Sequence, residues 1–305
     1  MQGDLAKSIL EKYGGNLERL NVHTHMGCNL TCSGCSHHSE FVDVSESVDI
    51  EQLIKDLEIL LEKTEIRTFH ILGGEPLLNP KGTKAVCEYL ISKGKKVKLL
   101  TNGFYVNKHD DWLLDLVERG MTLKISVHVG PGDKSRDNLA EKVLDFYKKA
   151  IAKNIKFMRR NTLYEDQDFG WIEISNEWQR KKEIWGHIIK YEGDKVYPFN
   201  SDKDKAFKIC ETNCPQLYKG KLYKCSHTAY LSDMLAIKEQ LDDPEWAPYL
   251  KYDGVDINDN SAVEEFLQTV YTAEDVCSSC PETKQYITMN QDISIKKKVI
   301  PIKHL

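Results

Sequence analysis

Nine cysteines occur in the 305 residues, and three of them crowd into Cys28-x-x-x-Cys32-x-x-Cys35. A thiolate is a soft, tightly binding metal ligand, so three in one loop point first to a metal. One option is structural zinc, with His37 or His38 completing a four-ligand set. The other is a cube of irons and sulfides in which the thiolates hold three irons and the fourth keeps an open position. Zinc gives no account of a second motif, Gly73-Gly74-Glu75-Pro76, which lies downstream at the end of an apolar run. The pair of motifs therefore favours iron and sulfide.

Together the cysteine loop and the Gly-Gly-Glu-Pro run resemble the signature of radical S-adenosylmethionine (radical SAM) enzymes. The resemblance implies a [4Fe-4S] cluster on Cys28, Cys32 and Cys35 whose open iron is chelated by the amino and carboxylate groups of SAM. It implies that an electron from the reduced cluster breaks a carbon-sulfur bond, and that the resulting deoxyadenosyl radical takes hydrogen from an unactivated position. It assigns the backbone of Gly73, Gly74 and Glu75 to the amino group of the cofactor's methionine. It assigns Asn102, Ser126 and one of Arg159 or Arg160 to the ribose and the methionine carboxylate. A guanidinium offers a carboxylate two parallel donors, whereas a strand-end Ser or Asn can instead serve only its own backbone. The chain departs from the family pattern at Gly34, just before the third cysteine, where an aromatic residue is usual.

Five further cysteines, Cys210, Cys214, Cys225, Cys277 and Cys280, gather in the last third of the chain around a predicted hairpin, Leu217 to Tyr223. Cys210, Gly220, Cys225 and the later Cys277-x-x-Cys280 resemble the shortened auxiliary-cluster module called a twitch domain. That resemblance implies an auxiliary [4Fe-4S] cluster on Cys210, Cys225, Cys277 and Cys280. Cys214 is left as a spare thiol, substitute ligand or hydrogen donor. The residues alone leave Cys210 and Cys214 as equal contenders, and the spacing also permits a four-cysteine zinc knuckle. Cys87 lies in an amphipathic stretch and reads as a packing residue.

The elements that must position these groups are legible as alternating apolar runs and period-3.6 segments between residues 20 and 160, the βα pattern of a parallel sheet under helices. Strands are expected at Leu20 to Met26, Arg67 to Leu72, Val97 to Thr101, Leu123 to Val129, Ile155 to Arg160 and Trp171 to Ile174. Asp49 to Gln52 reads as a capping box ahead of Leu53, Leu57 and Leu60, and Asn138-x-x-Glu141 as another ahead of Val143, Phe146 and Ala150. Gly94 and Gly120 end two helices. Periodicity does not separate a doubly wound sheet from a barrel; the resemblance implies a partial six-stranded (βα) barrel, residues 1–200, with a linker over about 161–208. A small C-terminal β-hairpin and helix iron-sulfur module would occupy residues 201–305. The polar motifs all fall at carboxyl ends of strands, the face where βα barrels carry their chemistry. In the fourth strand Lys124, Ser126 and His128 alternate with apolar residues, so one face is predicted to be a polar lumen. His128 is the candidate acid or base there. His23, His25 and His70 also fall on polar faces, where a histidine more often forms a hydrogen-bonded wall.

Composition narrows the function classes. Apolar residues make up 41%, enough for a large core, and Lys plus Arg total 42 against 47 for Asp plus Glu, a net charge of -5. No dominant basic field exists of the kind nucleic-acid binding needs. No uninterrupted apolar window has membrane-spanning length, residues 1 to 20 read as a polar helix, and a reduced, cytoplasmic setting for metal-bound thiols is expected. The leading expectation is a radical enzyme that abstracts hydrogen from a small polar molecule. In layout it is similar to the deoxy-scyllo-inosamine dehydrogenases of aminoglycoside biosynthesis, which oxidise a secondary alcohol while a second cluster takes up the other electron. A low-potential donor such as flavodoxin or ferredoxin would be its partner. Peptide modification and nucleoside modification are the alternative chemistries, and an iron-sulfur sensor or electron carrier is the alternative without turnover.

Overall fold

The computed structural model describes residues 17–32, 34–128, 134–158, 170–175, 188–210, 214–284 and 293–295. Strands β1 (Leu17–His25), β3 (Ile66–Gly73), β4 (Lys96–Thr101), β5 (Thr122–Ser126), β6 (Phe157–Met158) and β7 (Ile172–Ser175) form a parallel sheet. A short β2 (Leu30–Cys32) follows β1 and pairs with β13 (Ile293–Ile295). Helices α1 (Ile50–Lys63), α2 (Pro80–Ser92), α3 (Asp110–Glu118) and α4 (Lys134–Ala152) connect the parallel strands, making a partial (βα) barrel.

Each strand divides its residues by parity. Leu20, Val22, Phe69, Ile71, Val97, Leu99, Leu123 and Ile125 are buried against Leu53, Leu57, Val86, Leu90 and Leu113 from the helices, one contiguous core. The opposite face carries Asn21, His23, His70, Lys98, Lys124, Ser126 and Glu173, the register pairing Asn21 with His70, His70 with Lys98 and Lys124 with Glu173. The polar lumen expected from the fourth strand thus extends across the sheet.

Asp49 caps α1 by accepting from the Gln52 N–H at 3.0 Å, as its sequence signature indicates. Gly94 and Gly120 follow α2 and α3 with φ of 70° and 102°, left-handed conformations that favour glycine. Three expectations change. The first strand begins at Leu17, so residues 17–20 are extended where a helix was expected. Helix α4 begins four residues before Asn138, so that residue is no cap. In the sheet, β7 lies beside β5 and β6 lies outside it, whereas a strict βα series would place them in sequence order. Two features hold β7 there. Gly170 packs where a Cβ would stand 2.1 Å from the Val117 carbonyl oxygen. Glu173 reaches inward to Lys98 at 3.0 Å and Lys124 at 3.8 Å.

Past the linker, β8 (Lys190–Glu192) and β9 (Lys195–Tyr197) form one hairpin. Helix α5 (Lys203–Ile209) precedes a second, β10 (Gln216–Tyr218) and β11 (Lys221–Tyr223), followed by α6 (Ser226–Ile237), β12 (Val255–Asp256) and α7 (Asn260–Thr269). The second hairpin is the predicted one; Lys219 and Gly220 both have positive φ, 48° and 71°, which a two-residue turn of the primed kind requires. Asp259 caps α7, accepting from the Ala262 N–H at 3.0 Å. Strand β10 adds in parallel to the free edge of β1. Leu217, Leu222, Phe266 and Tyr271 consequently belong to the same core as the barrel. Among the described residues no helix is long and apolar enough to cross a membrane.

Candidate functional site

The carboxyl ends of the parallel strands open into a cleft of about 910 Å³, counted out to its mouth. Cys28, Cys32, Cys35, Gly73, Gly74, Glu75, Asn102, Ser126 and His128 all line it, so nine of the residues chosen from sequence meet in one place. Arg159 and Arg160 lie outside the described residues.

The cysteine loop is built around sulfur acceptors. The Leu30 N–H points to Cys28 Sγ at 3.4 Å, and the Asn102 side-chain amide approaches the same sulfur at 3.9 Å. Two N–H donors suit a metal-bound thiolate, which accepts, better than a free thiol. Burial, with Cys32 and Glu75 nearby, pushes the Cys28 thiol far up, so without a positive partner this sulfur stays protonated. Gly34 adopts φ 69°, a left-handed turn that accounts for glycine where the family has an aromatic residue.

The Gly-Gly-Glu motif joins β3 to that loop. A Cβ on Gly73 would lie 2.1 Å from the His25 carbonyl oxygen, and one on Gly74 2.1 Å from that of Gly27. The close approach that demands glycine is thus to the chain itself. The Gly74 and Glu75 N–H groups donate to those same two oxygens, each at 2.9 Å. What the motif can offer an ammonium group is its carbonyl oxygens. The Glu75 carboxylate is fully buried and accepts from the Leu77 N–H at 3.0 Å, the Thr101 hydroxyl at 2.7 Å and the Asn102 N–H at 2.7 Å. Burial raises it to about 7 despite these donors. Its carboxylate therefore clamps the end of β4, and through it Asn102, whose amide donates to Asn29 Oδ1 at 2.7 Å while its oxygen accepts from the Phe104 N–H at 3.2 Å. Asn102, expected at a ribose or carboxylate, is engaged with the cysteine loop.

Below the cleft the lumen is lined by neutral polar groups on the β1 side. His23 Nε2 bonds His37 Nδ1 at 2.8 Å, and the His23 ring stacks on Tyr230 with centroids 4.3 Å apart. Tyr230 donates to Gln216 Oε1 at 3.1 Å. Asn21 Oδ1, His23 Nδ1 and Gln216 Nε2 are buried without a hydrogen-bond partner among the described residues; such groups call for a ligand or water. Burial pushes His23 well down, as it does His70 beside Arg19, Lys98 and Lys124.

The C-terminal cysteines converge on the far side of β1. Cys210 ends α5, Cys225 caps α6, Cys277 lies within a 3-10 turn, Asp275–Ser279, and Cys280 caps the end of that turn. Burial raises the Cys225 thiol to about 12, with the negative charges of Cys210 and Cys277 adding to it, and Cys280 is raised by burial and then by Cys225, Cys210 and Cys277. Cys214 is raised by burial and accepts hydrogen bonds from Asn21 and Arg19; Cys210 is the neighbouring thiol among its causes. Cys225, Cys277, Cys280 and Cys214 thus all feel Cys210, and Cys214 in addition bonds Asn21 of the lumen face. Among the described residues no three His, Cys, Asp or Glu side chains group tightly enough for a single metal ion; the thiolates of a cube sit on separate irons and need no common point.

Sequence reasoning missed Lys224, His227, Ser279 and Tyr230. Lys224 is buried beside the C-terminal thiols, donating to the Val270 carbonyl at 2.7 Å and to Glu274 at 3.0 Å. Its adjacency to Cys225 was the one available signal.

Comparison with known proteins agrees with the reading of the cysteine loop. Residues 22–168 match the Radical SAM superfamily; this part of the chain is a radical SAM domain, and members of that superfamily bind a [4Fe-4S] cluster and SAM. Among individual proteins, the chain is 32% identical over 113 residues to a GTP 3',8-cyclase of Synechocystis sp., covering 36% of this chain and 33% of that protein. It is 32% identical over 100 residues to the antilisterial bacteriocin subtilosin biosynthesis protein AlbA of Bacillus subtilis, 33% of this chain and 22% of that one. The chain thus matches a third or less of these two relatives' own lengths. A crystal structure of BtrN in complex with AdoMet and 2-DOIA aligns over 89% of this chain and 97% of that one at 16% identity and TM-score 0.43.

Proposed function

We propose that the chain is a radical SAM oxidoreductase that takes a hydrogen atom from a small polar substrate held in the barrel cleft, with an auxiliary [4Fe-4S] cluster on Cys210, Cys225, Cys277 and Cys280 as electron acceptor. The observation that carries this reading is the lumen itself. It is polar from β10 to β7, with the Cys28, Cys32 and Cys35 loop at its mouth and Cys214, one of the C-terminal thiols, hydrogen-bonded to Asn21 at its β1 side. When bound, the first cluster and SAM supply a deoxyadenosyl radical.

Every other step falls to the chain's own groups. Carbonyl oxygens of the Gly73-Gly74 run take the cofactor's amino group; Ser126 and one of Arg159 or Arg160 take its ribose and carboxylate. Asn102 holds the cysteine loop in place. For oxidation of a secondary alcohol, the carbinol hydrogen leaves as an atom, the hydroxyl proton goes to His128, and the remaining electron leaves toward the C-terminal thiols. Cys214, bonded to Asn21 and Arg19, lies on that route.

Nucleoside modification is the second reading. It is favoured by Lys98 and Lys124, two lumen cations sharing one carboxylate, Glu173, and by the similarity to GTP 3',8-cyclase. The test is anaerobic reconstitution with iron and sulfide, then SAM, reductant and candidate substrates deuterated at the carbinol carbon. Deuterium in deoxyadenosine together with a ketone product supports the first reading. Deuterium arriving only from a nucleotide ribose supports the second.

A further inference from the structure

His38 and His227 are 189 residues apart in sequence, yet His38 Nε2 and His227 Nδ1 are 2.8 Å apart. His227 Nε2 is in turn 3.0 Å from Ser279 Oγ, which donates to the Val276 carbonyl at 2.8 Å and lies 3.9 Å from Cys280 Sγ. At the other end, the His38 N–H donates to the Cys35 carbonyl oxygen at 3.1 Å. A buried series of contacts therefore runs from Cys35 of the first loop, through the His38 backbone and ring, His227 and Ser279, to the neighbourhood of Cys280 in the C-terminal set. All three side chains are essentially inaccessible, 1%, 2% and 0% exposed.

The direction of the chain follows from proton counting. The two rings meet nitrogen to nitrogen at 2.8 Å, so one of the pair donates and the other accepts. A neutral imidazole has one donor and one acceptor nitrogen. Ser279 spends its only proton on Val276, so His227 Nε2 carries the hydrogen, its Nδ1 accepts, and His38 Nε2 donates. Reversing any link leaves a buried polar atom without a partner, which costs about 1–3 kcal/mol. His38 also holds φ 54°, a left-handed conformation that a non-glycine residue keeps only where its surroundings enforce it.

We propose that His227 is a positioning residue that couples the two cysteine sites, so that the state of Cys277 and Cys280 sets how well the first loop presents its cluster to SAM. This rests on the first cysteine trio holding the SAM-binding cluster; it holds for either iron-sulfur or zinc at the C-terminal set. The experiment is a coupling cycle on anaerobically reconstituted protein, reading the dissociation constant for SAM and the electron paramagnetic resonance signal of the reduced first cluster. The proteins are wild type, His227→Phe, Cys277→Ala with Cys280→Ala, and all three changes together. Each single alteration should weaken SAM binding about 5-fold or more, and the combination should be no weaker than either alone, because both cut the same chain. His227→Asn keeps a polar group near Nδ1 and His227→Gln keeps one near Nε2. Each retains one bond and the fold, and each should show the same loss of coupling.

Multiplying losses in the combined variant, or unchanged SAM affinity and an unchanged resonance signal in folded His227→Asn and His227→Gln, would overturn the proposal. Wild-type protein that loads iron but binds no SAM would sink the function proposed above. The coupling would then be read from the resonance signal alone.

Discussion

Asn102 shows how much one short side chain can organise: its backbone N–H is held by Glu75, its amide grips Asn29 and faces Cys28, and its oxygen caps the Phe104 N–H. Groups that orient a metal ligand typically cost 10–100-fold in metal affinity when lost. Asn102→Ala should therefore lower iron retention at the first site by about 10-fold or more, read as iron per chain after desalting, with the far-ultraviolet circular dichroism unchanged. A second residue-scale expectation concerns acid. His23, His37, His38, His70 and His227 are all held neutral by burial, His37 and His227 down to about 4 from 6.5. Below 6.5 the unfolded chain binds these protons and the folded chain does not, so stability is present above that pH and is lost as pH falls toward 4. For His227 alone the loss is on the order of 3 kcal/mol. Glu75, raised to about 7, acts the other way, losing stability as pH rises from 4.5, but it is one group against five. Urea midpoints of the metal-free chain should fall steeply between pH 7 and pH 5; a flat profile would contradict the burial of these rings.

At the scale of elements, the junction of β1, the cysteine loop and β3 leaves no room for a side chain. Gly74→Ala would put a methyl 2.1 Å from the Gly27 carbonyl oxygen. Backbone cannot yield as a flexible side chain does, so destabilisation of about 3 kcal/mol or more and loss of iron loading are expected. Gly94→Ala is the control, since it meets nothing within 4 Å and suffers only its φ of 70°, worth about 1 kcal/mol. Thermal melts of the two variants decide between a steric and a merely conformational requirement. The sequence showed that Gly73 and Gly74 mattered but not why, because the crowding atoms belong to His25 and Gly27, far away in the chain. Helix α1 was legible to its cap because a local signal, Asp49 on the Gln52 N–H, decides it. The order of β7 and β6 was not, because it is settled by Glu173 meeting Lys98 and Lys124 across the lumen, a tertiary contact that no local pattern encodes.

On the scale of the whole molecule, the boundary drawn near residue 200 divides two cysteine sets but not two cores. Strand β10 pairs with β1, and Leu217, Leu222, Phe266 and Tyr271 share the barrel's core, while Ile189 and Val196 pack against Leu231, Met234 and Trp246. A chain cut after residue 200 would expose that surface and the edge of β1, and should be recovered only as aggregate; a soluble, folded fragment with a cooperative melt would show separable domains. The metal motifs were readable because ligand spacing is local. The link through His38, His227 and Ser279 was not, since it needs both ends of the chain in place. The central claim is that the cleft holds a cluster able to split SAM. It is tested most directly by measuring deoxyadenosine formed by reconstituted, reduced protein and by its Cys28→Ala, Cys32→Ala and Cys35→Ala variants. The account predicts deoxyadenosine from the intact chain and none above background from any variant. An intact chain that carries its iron-sulfur cluster, binds SAM and still forms none would contradict it.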